Sequence, residues 1–227
     1  SVSPQMVRRG DHARRPNRES HVSALTDART KIGGLSKPSK MPGYAYSTPA
    51  KHCNVGSKLR DIPNSVCSTC YALKGRYVFP TVQNALQRRL DTIGDPAWSA
   101  NMATAINGQE WFRWHDSGDI QSLEHLAKIV EVCRATPTTK HWLPTREKAI
   151  VRKFLKSDRF PDNLAVRLSA NMIDGKPPVL ASVLTSTVSK NAPPIGHCCP
   201  APAQNNKCGK CRACWDKSVE NVAYHWH

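Results

Sequence analysis

Apolar and polar positions fall into two alternating rhythms after residue 43. Trp111-Phe112-Arg113-Trp114 has the short apolar character of a strand and runs into the polar turn His115-Asp116-Ser117-Gly118-Asp119. Ser122 then caps a predicted helix in which Leu123, Leu126, Ala127, Val130 and Cys133 recur at helical spacing. The same succession returns downstream. His141-Trp142-Leu143 is a short apolar run, followed by a helix expected from about Thr145 to Leu155. Leu164 to Leu168 reads as a further strand and ends in Ser169-Ala170-Asn171, while Thr81 to about Leu90 has helical spacing just after Pro80. Strand, polar turn and helix in repetition predict an α/β fold of parallel units. In such folds the turns after the strand C-termini form the functional face. Residues 174–197, rich in Pro, Ser and Thr, are expected to form a connector with one short strand at Val179–Leu184.

Residues 1–43 differ. They carry nine Lys and Arg against Asp11, Glu19 and Asp27, on a stretch rich in Ser, Pro and Gly with little apolar periodicity. Such a segment cannot bury enough surface to order itself and is expected to be a basic arm. The whole chain of 227 residues has 33 Lys and Arg against 17 Asp and Glu, a formal charge of +16, so the rest is basic too. This balance makes nucleic acid the expected partner, reached through the arm and the basic surface; the plainer alternative is a strap on a basic globule. No apolar run approaches the roughly 18 residues needed to cross a bilayer, and no stretch reads as an export signal. The chain begins at Ser1 without an initiator Met, so leading residues are expected to have been trimmed. A cytoplasmic, reducing compartment is expected, with cysteines as thiols or metal ligands.

Nine cysteines are present, and eight of them form two spaced groups, with Cys198 expected as a bystander or a replacement for Cys199. Near the C-terminus, Cys199-Pro200 precedes Cys208-x2-Cys211-x2-Cys214. Successive x2 spacings let a loop wrap a cubane, each thiolate meeting a different iron, with a distant Cys-Pro closing the shell. A [4Fe–4S] cluster is therefore expected here. A four-cysteine zinc site is the alternative, although zinc sites normally pair two separate Cys-x2-Cys units. The other group is Cys53, then Cys67-x2-Cys70. Three cysteines leave one position open to His52, to another residue or to a small molecule, so the expected clusters number one or two. Cys133, on an apolar helical face, is expected in the core.

The polar turns suggest further chemistry. Asp116 and Asp119 are candidate catalytic acids, for an acid–base pair or a metal-dependent hydrolase. Arg146 follows the second predicted strand, and Ser169 and Asn171 follow the third. Together these polar groups sit on one face, the position of a shared ligand site. The aromatic tail of Trp215, Tyr224 and Trp226 could stack on bases or shield a cluster from water.

Cys67-Ser68-Thr69-Cys70-Tyr71-Ala72, the run Arg113 to Asp119, and Cys199-Pro200-Ala201 with Cys208, Cys211 and Cys214-Trp215 resemble the gene-product-88 family of bacteriophage proteins over most of residues 41–227. That resemblance implies host cytoplasm. The order of elements also resembles the radical S-adenosylmethionine enzymes, which implies a partial or distorted (β/α) barrel with parallel strands. In those enzymes a three-cysteine loop follows the first strand, and a later auxiliary cluster is common. By that resemblance Cys53, Cys67 and Cys70 would ligate the first cluster, and Ser117, Gly118, Arg146, Ser169 and Asn171 would hold S-adenosylmethionine. Their usual spacing is Cys-x3-Cys-x2-Cys, whereas thirteen residues separate Cys53 from Cys67 here. The expected organisation is an arm at 1–43, a barrel-like domain at 44–197 and an iron–sulfur segment at 198–227. The expected activity is redox or radical chemistry on a nucleic acid or nucleotide, against a non-enzymatic nucleic-acid-binding protein with structural metal.

Overall fold

The computed structural model describes residues 18–226. In chain order the regular elements are α1 (Arg18–Lys31), β1 (Tyr44–Tyr46), α2 (Asn54–Leu59), α3 (Pro80–Thr92), α4 (Trp98–Ile106), β2 (Trp111–Trp114), α5 (Leu123–Ala135), β3 (Lys140–Thr145), α6 (Lys148–Phe154), β4 (Leu164–Ser169), β5 (Leu184–Ser189), β6 (His197–Cys198) and β7 (Asn221–His225). The seven strands form one wholly parallel sheet in the order β1-β2-β3-β4-β5-β7-β6.

Strands added one after another in a single direction, through right-handed crossovers, place their connecting helices on the same face. The core agrees with this. Ile32 just after α1, Met102 of α4, Ile129 of α5 and Val151 of α6 pack with Tyr46, Phe112, Trp114, Leu143 and Leu168. Alternation along the strands sends Trp111, Trp142, Val222 and Tyr224 to the second face, where they pack with Met41, Ala213, Cys214 and Trp215. Barrels share this winding, but the expected barrel is not formed. β1 and β6 remain the two edges of an open sheet, and the second face is covered by the C-terminal cysteine segment.

Other expectations need correction. Within the segment read as a basic arm, α1 is a regular helix, and Ala28 and Ile32 are buried in the core; residues 1–17 lie outside the described residues. The charge pattern there concealed a narrow apolar stripe. The strand expected at 179–184 begins only at Leu184, and Val179 is 84% exposed. Thr145 ends β3 rather than opening a helix, and α6 starts at Lys148. Residues 198–227 are not a segment merely packed on the domain, because β7 inserts between β5 and β6. Ser122 does cap α5, its hydroxyl accepting from His125 N at 3.1 Å, and Cys133 is fully buried. Among the described residues no helix is long and apolar enough to cross a membrane.

Buried histidines give the fold a pH dependence. His125 meets Trp98 edge-on, and His141 stacks with Trp114 at an interplanar angle of 17°. The Thr136 hydroxyl donates to Val132 O and therefore accepts from His141 Nε2 at 3.0 Å. Burial pushes both imidazoles down to about 3 from an ordinary 6.5. Both rings are thus neutral when folded and take up protons on unfolding below about pH 6.5. Stability is complete above that pH and is lost as pH falls toward about 3, by about 1.4 kcal/mol per pH unit for each ring. Urea unfolding should show a markedly lower midpoint at pH 5 than at pH 7, and His141→Phe should flatten that slope. An unaltered slope in the variant would refute this assignment.

Candidate functional site

Parallel strands end on one edge, so the turns following β1 to β5 meet there although they are distant in sequence. The turn after β1 is the long one. It runs from Ser47 to Phe79 through α2 and short 3-10 turns, and it contains Cys53, Cys67 and Cys70. Hydrogen bonds fasten it to each neighbouring turn. Thr48 N donates to Ser117 O and Ser117 Oγ donates back to Thr48 O, both at 3.0 Å. Val55 N, at the start of α2, donates to Glu147 Oε1 at 2.9 Å. Val66 N donates to Asn171 O at 2.8 Å, and Ile173 N donates to Asn64 O at 2.9 Å. The Tyr71 hydroxyl donates to Asp116 O, and that of Tyr77 to Asp116 Oδ2 at 2.9 Å.

Within this loop the sulfurs gather around Gly56. A Cβ on that buried glycine would stand 3.6 Å from Cys53 Sγ and 3.5 Å from Cys67 Sγ, so the two sulfurs are no farther apart than those distances added. Burial pushes the Cys53 thiol up to about 12, and Asp119, Cys70 and Cys67 push in the same direction. Burial also raises Cys67, which Arg146 partly offsets. All nine thiols are free. Among the described residues no three His, Cys, Asp or Glu side chains converge closely enough to hold a single metal ion. Zinc–sulfur bonds of about 2.3 Å would put tetrahedral ligands about 3.8 Å apart. A cubane accepts thiolates at a wider spacing, because each binds a different iron.

The second cysteine group lies on the sheet's other face. Cys199 N donates to Ala223 O at 2.8 Å, and Cys208 N donates to Lys40 O at 2.7 Å. Trp215 anchors the segment, its indole donating to Phe112 O at 2.9 Å between the rings of Trp111 and Trp142. Cys214 Sγ lies 3.2 Å from the Tyr224 hydroxyl, and Cys211 Sγ lies 3.4 Å from His197 Nε2. Burial drives Cys214 up to about 12; it raises Cys199 and Cys208 too, with Cys211 adding to both. Cys198 turns away to His225 Nε2, at 3.1 Å. The Arg113 guanidinium stacks 4.4 Å from the centre of Trp142. Tyr71, Asp116, Tyr224 and Cys214 all favour its charged form, so its charge is felt by groups beside both cysteine clusters.

The remaining candidates divide sharply. Asp119 is a buried brace: Oδ1 accepts from Ile120 N and Thr145 Oγ1, Oδ2 from Arg146 N. Its carboxylate is engaged by the chain itself, although burial raises its pKa. Ser117 and Gly118 are committed to Thr48. Ser169 Oγ pairs with Ser186 Oγ at 3.1 Å. Asp116 Oδ1 and Arg146 Nε, by contrast, are buried with no hydrogen-bond partner, and Asn171 is exposed beside the cysteine loop. Sequence reasoning missed Gly56, Tyr71, Tyr77, Glu147 and Arg167. Arg167 had a signal, a single charge inside the otherwise apolar run Leu164-Ala165-Val166-Arg167-Leu168.

No curated protein and no solved structure matches the chain significantly. The family model described as gene product 88 matches residues 18–217. That span takes in both cysteine groups and every strand but the last, and the chain belongs to the phage gene-product-88 family.

Proposed function

We propose that this is an iron–sulfur protein in which Cys53, Cys67 and Cys70 hold a [4Fe–4S] cluster with one open iron at the carboxyl edge of the sheet. Cys199, Cys208, Cys211 and Cys214 hold a second, fully ligated one on the opposite flank. The observation that carries the reading is the gathering of Cys53 and Cys67 around Gly56, a position where any side chain would touch both sulfurs. Cluster chemistry would supply single electrons to a small molecule bound at the open position. The order of cysteine loop after β1, Asp116 turn after β2 and Asn171 turn after β4 favours S-adenosylmethionine as that molecule. Ser117 and Gly118 are taken up by Thr48, so in this chain the orienting contacts fall to the unpartnered Asp116 Oδ1 and Arg146 Nε, with Asn171 at the rim.

The test is anaerobic purification with iron, sulfide and EPR measurements. Wild-type protein should carry about four irons and four sulfides per cluster, and Cys67→Ala should lose the first complement alone. Gly56→Ala separates ligation from folding. Alanine favours helix over glycine by about 1 kcal/mol, yet its Cβ would stand 2.9 Å from Cys53 Cβ, so Cys53 must shift, and would touch both sulfurs. Iron should fall by about half while the chain still unfolds in one cooperative thermal transition. S-adenosylmethionine should alter the EPR signal of wild-type protein and leave Cys67→Ala unaffected. Zinc without sulfide would overturn the reading.

A further inference from the structure

We infer that the carboxyl edge of the sheet, around the first cysteine group, binds single-stranded nucleic acid. Among the described residues only three aromatic side chains are exposed, Tyr71 at 58%, Phe79 at 55% and Trp226 at 37%. All three lie on this edge. Tyr71 is held against Asp116 after β2, Phe79 precedes α3 at the end of the cysteine loop, and Trp226 follows β7. Four strand spacings separate β2 from β7, or about 19 Å.

The exposed charge of the same edge is mostly positive. Lys51, Lys58, Lys74, Arg76, Lys148 and Lys190 are exposed on the turns after β1, β3 and β5. The four salt bridges among the described residues engage none of them. Asp61 in the cysteine loop is the exposed exception, while the other acids accept hydrogen bonds within the fold: Asp116 Oδ2 from Tyr77, Asp119 from three donors, Glu147 from Val55, and Asp174 from the amides of Lys190, Asn191 and Ala192. Lys190 already lies 4.0 Å over the Trp226 ring. Cations interleaved with open π-faces are what unpaired bases and their phosphates require. A duplex keeps its base faces stacked and could use only the charge.

The inference rests on the proposed function only in making this strand the partner that reaches Cys53, Cys67 and Cys70; binding itself needs no cluster. Anaerobically purified full-length protein is titrated against labelled single-stranded DNA, RNA of the same sequence and a hairpin duplex, with iron measured on the same sample. Binding without iron would sink the cluster and leave this inference standing; iron without binding would do the reverse. Single strands should bind at least tenfold more tightly than duplex, and the DNA and RNA arms decide the sugar. Tyr71→Ala with Phe79→Ala should weaken binding roughly ten- to a hundredfold, whereas Tyr71→Phe should not. Lys74→Glu with Arg76→Glu should weaken binding and lower the salt slope by about 1 or more. Lys153→Glu, exposed on α6, should change nothing. Equal affinity for duplex, or loss only when Arg8, Arg9, Arg14 and Arg15 are neutralised, would overturn the inference.

Discussion

Arg167→Met will detach the C-terminal cysteine segment from the sheet and cost about 3 kcal/mol or more of stability, at about 1–3 kcal/mol for each buried carbonyl left without a donor. Arg167 is fully buried in β4 and faces no carboxylate. Nε donates to Cys214 O at 3.0 Å, and Nη1 donates to Val219 O at 2.9 Å and Thr185 O at 3.3 Å. Nη2 donates to Ala213 O at 2.8 Å and Asp216 O at 2.7 Å. With Glu220 O at 3.5 Å from Nη1, one planar guanidinium thus serves six carbonyls, five of them in the segment carrying Cys214. Methionine fills the volume but donates to none of them; Ala213 O, Asp216 O and Glu220 O keep a backbone donor, whereas Cys214 O and Val219 O lose theirs. Lysine keeps the charge on three donors from a single atom and cannot span the set. Thermal unfolding, limited proteolysis across residues 205–219 and iron content check this together. The second iron complement should be lost and the first kept; a variant with native stability would refute the clamp.

Gly118→Ala should lower stability by more than about 3 kcal/mol, or abolish soluble expression, through the combined cost of left-handed backbone and overlap. Gly118 has φ +80°. A Cβ there would overlap Thr48 Oγ1 and stand 2.7 Å from Thr48 O, which is backbone and cannot swing aside. The reciprocal Ser117–Thr48 hydrogen bonds would have to open to admit it. Gly34 supplies the control: φ is +88°, but nothing lies within 4 Å of its Cβ position. Gly34→Ala should therefore cost only about 1 kcal/mol, the conformational part alone. Equal losses at the two glycines would show that the Thr48 contact is unimportant.

Period and punctuation made much of this fold legible in the sequence. β2, α5 and β4 follow from apolar spacing, and the Ser122 cap was readable because Ser lies just before a periodic apolar stretch. α1 was not readable, because its core contacts come down to Ala28 and Ile32 inside a strongly charged segment. β7 was hidden for a different reason: Asn221-Val222-Ala223-Tyr224-His225 is too short and polar-flanked to outweigh the aromatic character of its neighbours. The cysteine groups were visible as spacings, whereas their partners were not. Gly56, Glu147 and Arg167 matter through neighbours 11 to 92 positions away in the chain, and no local pattern encodes such pairings. Closure into a barrel depends on where the last strand pairs, and β7 took the slot beside β5.

That slot has a consequence for how the molecule comes into being. β5 and β6 have no bond to each other and are joined only through β7. A ribosome delivers the chain from its N-terminus, so β5 must wait with a bare edge until Asn221–His225 has emerged. The last strand made is the keystone of its flank, and a nascent chain halted before residue 221 would offer an open parallel edge to aggregation.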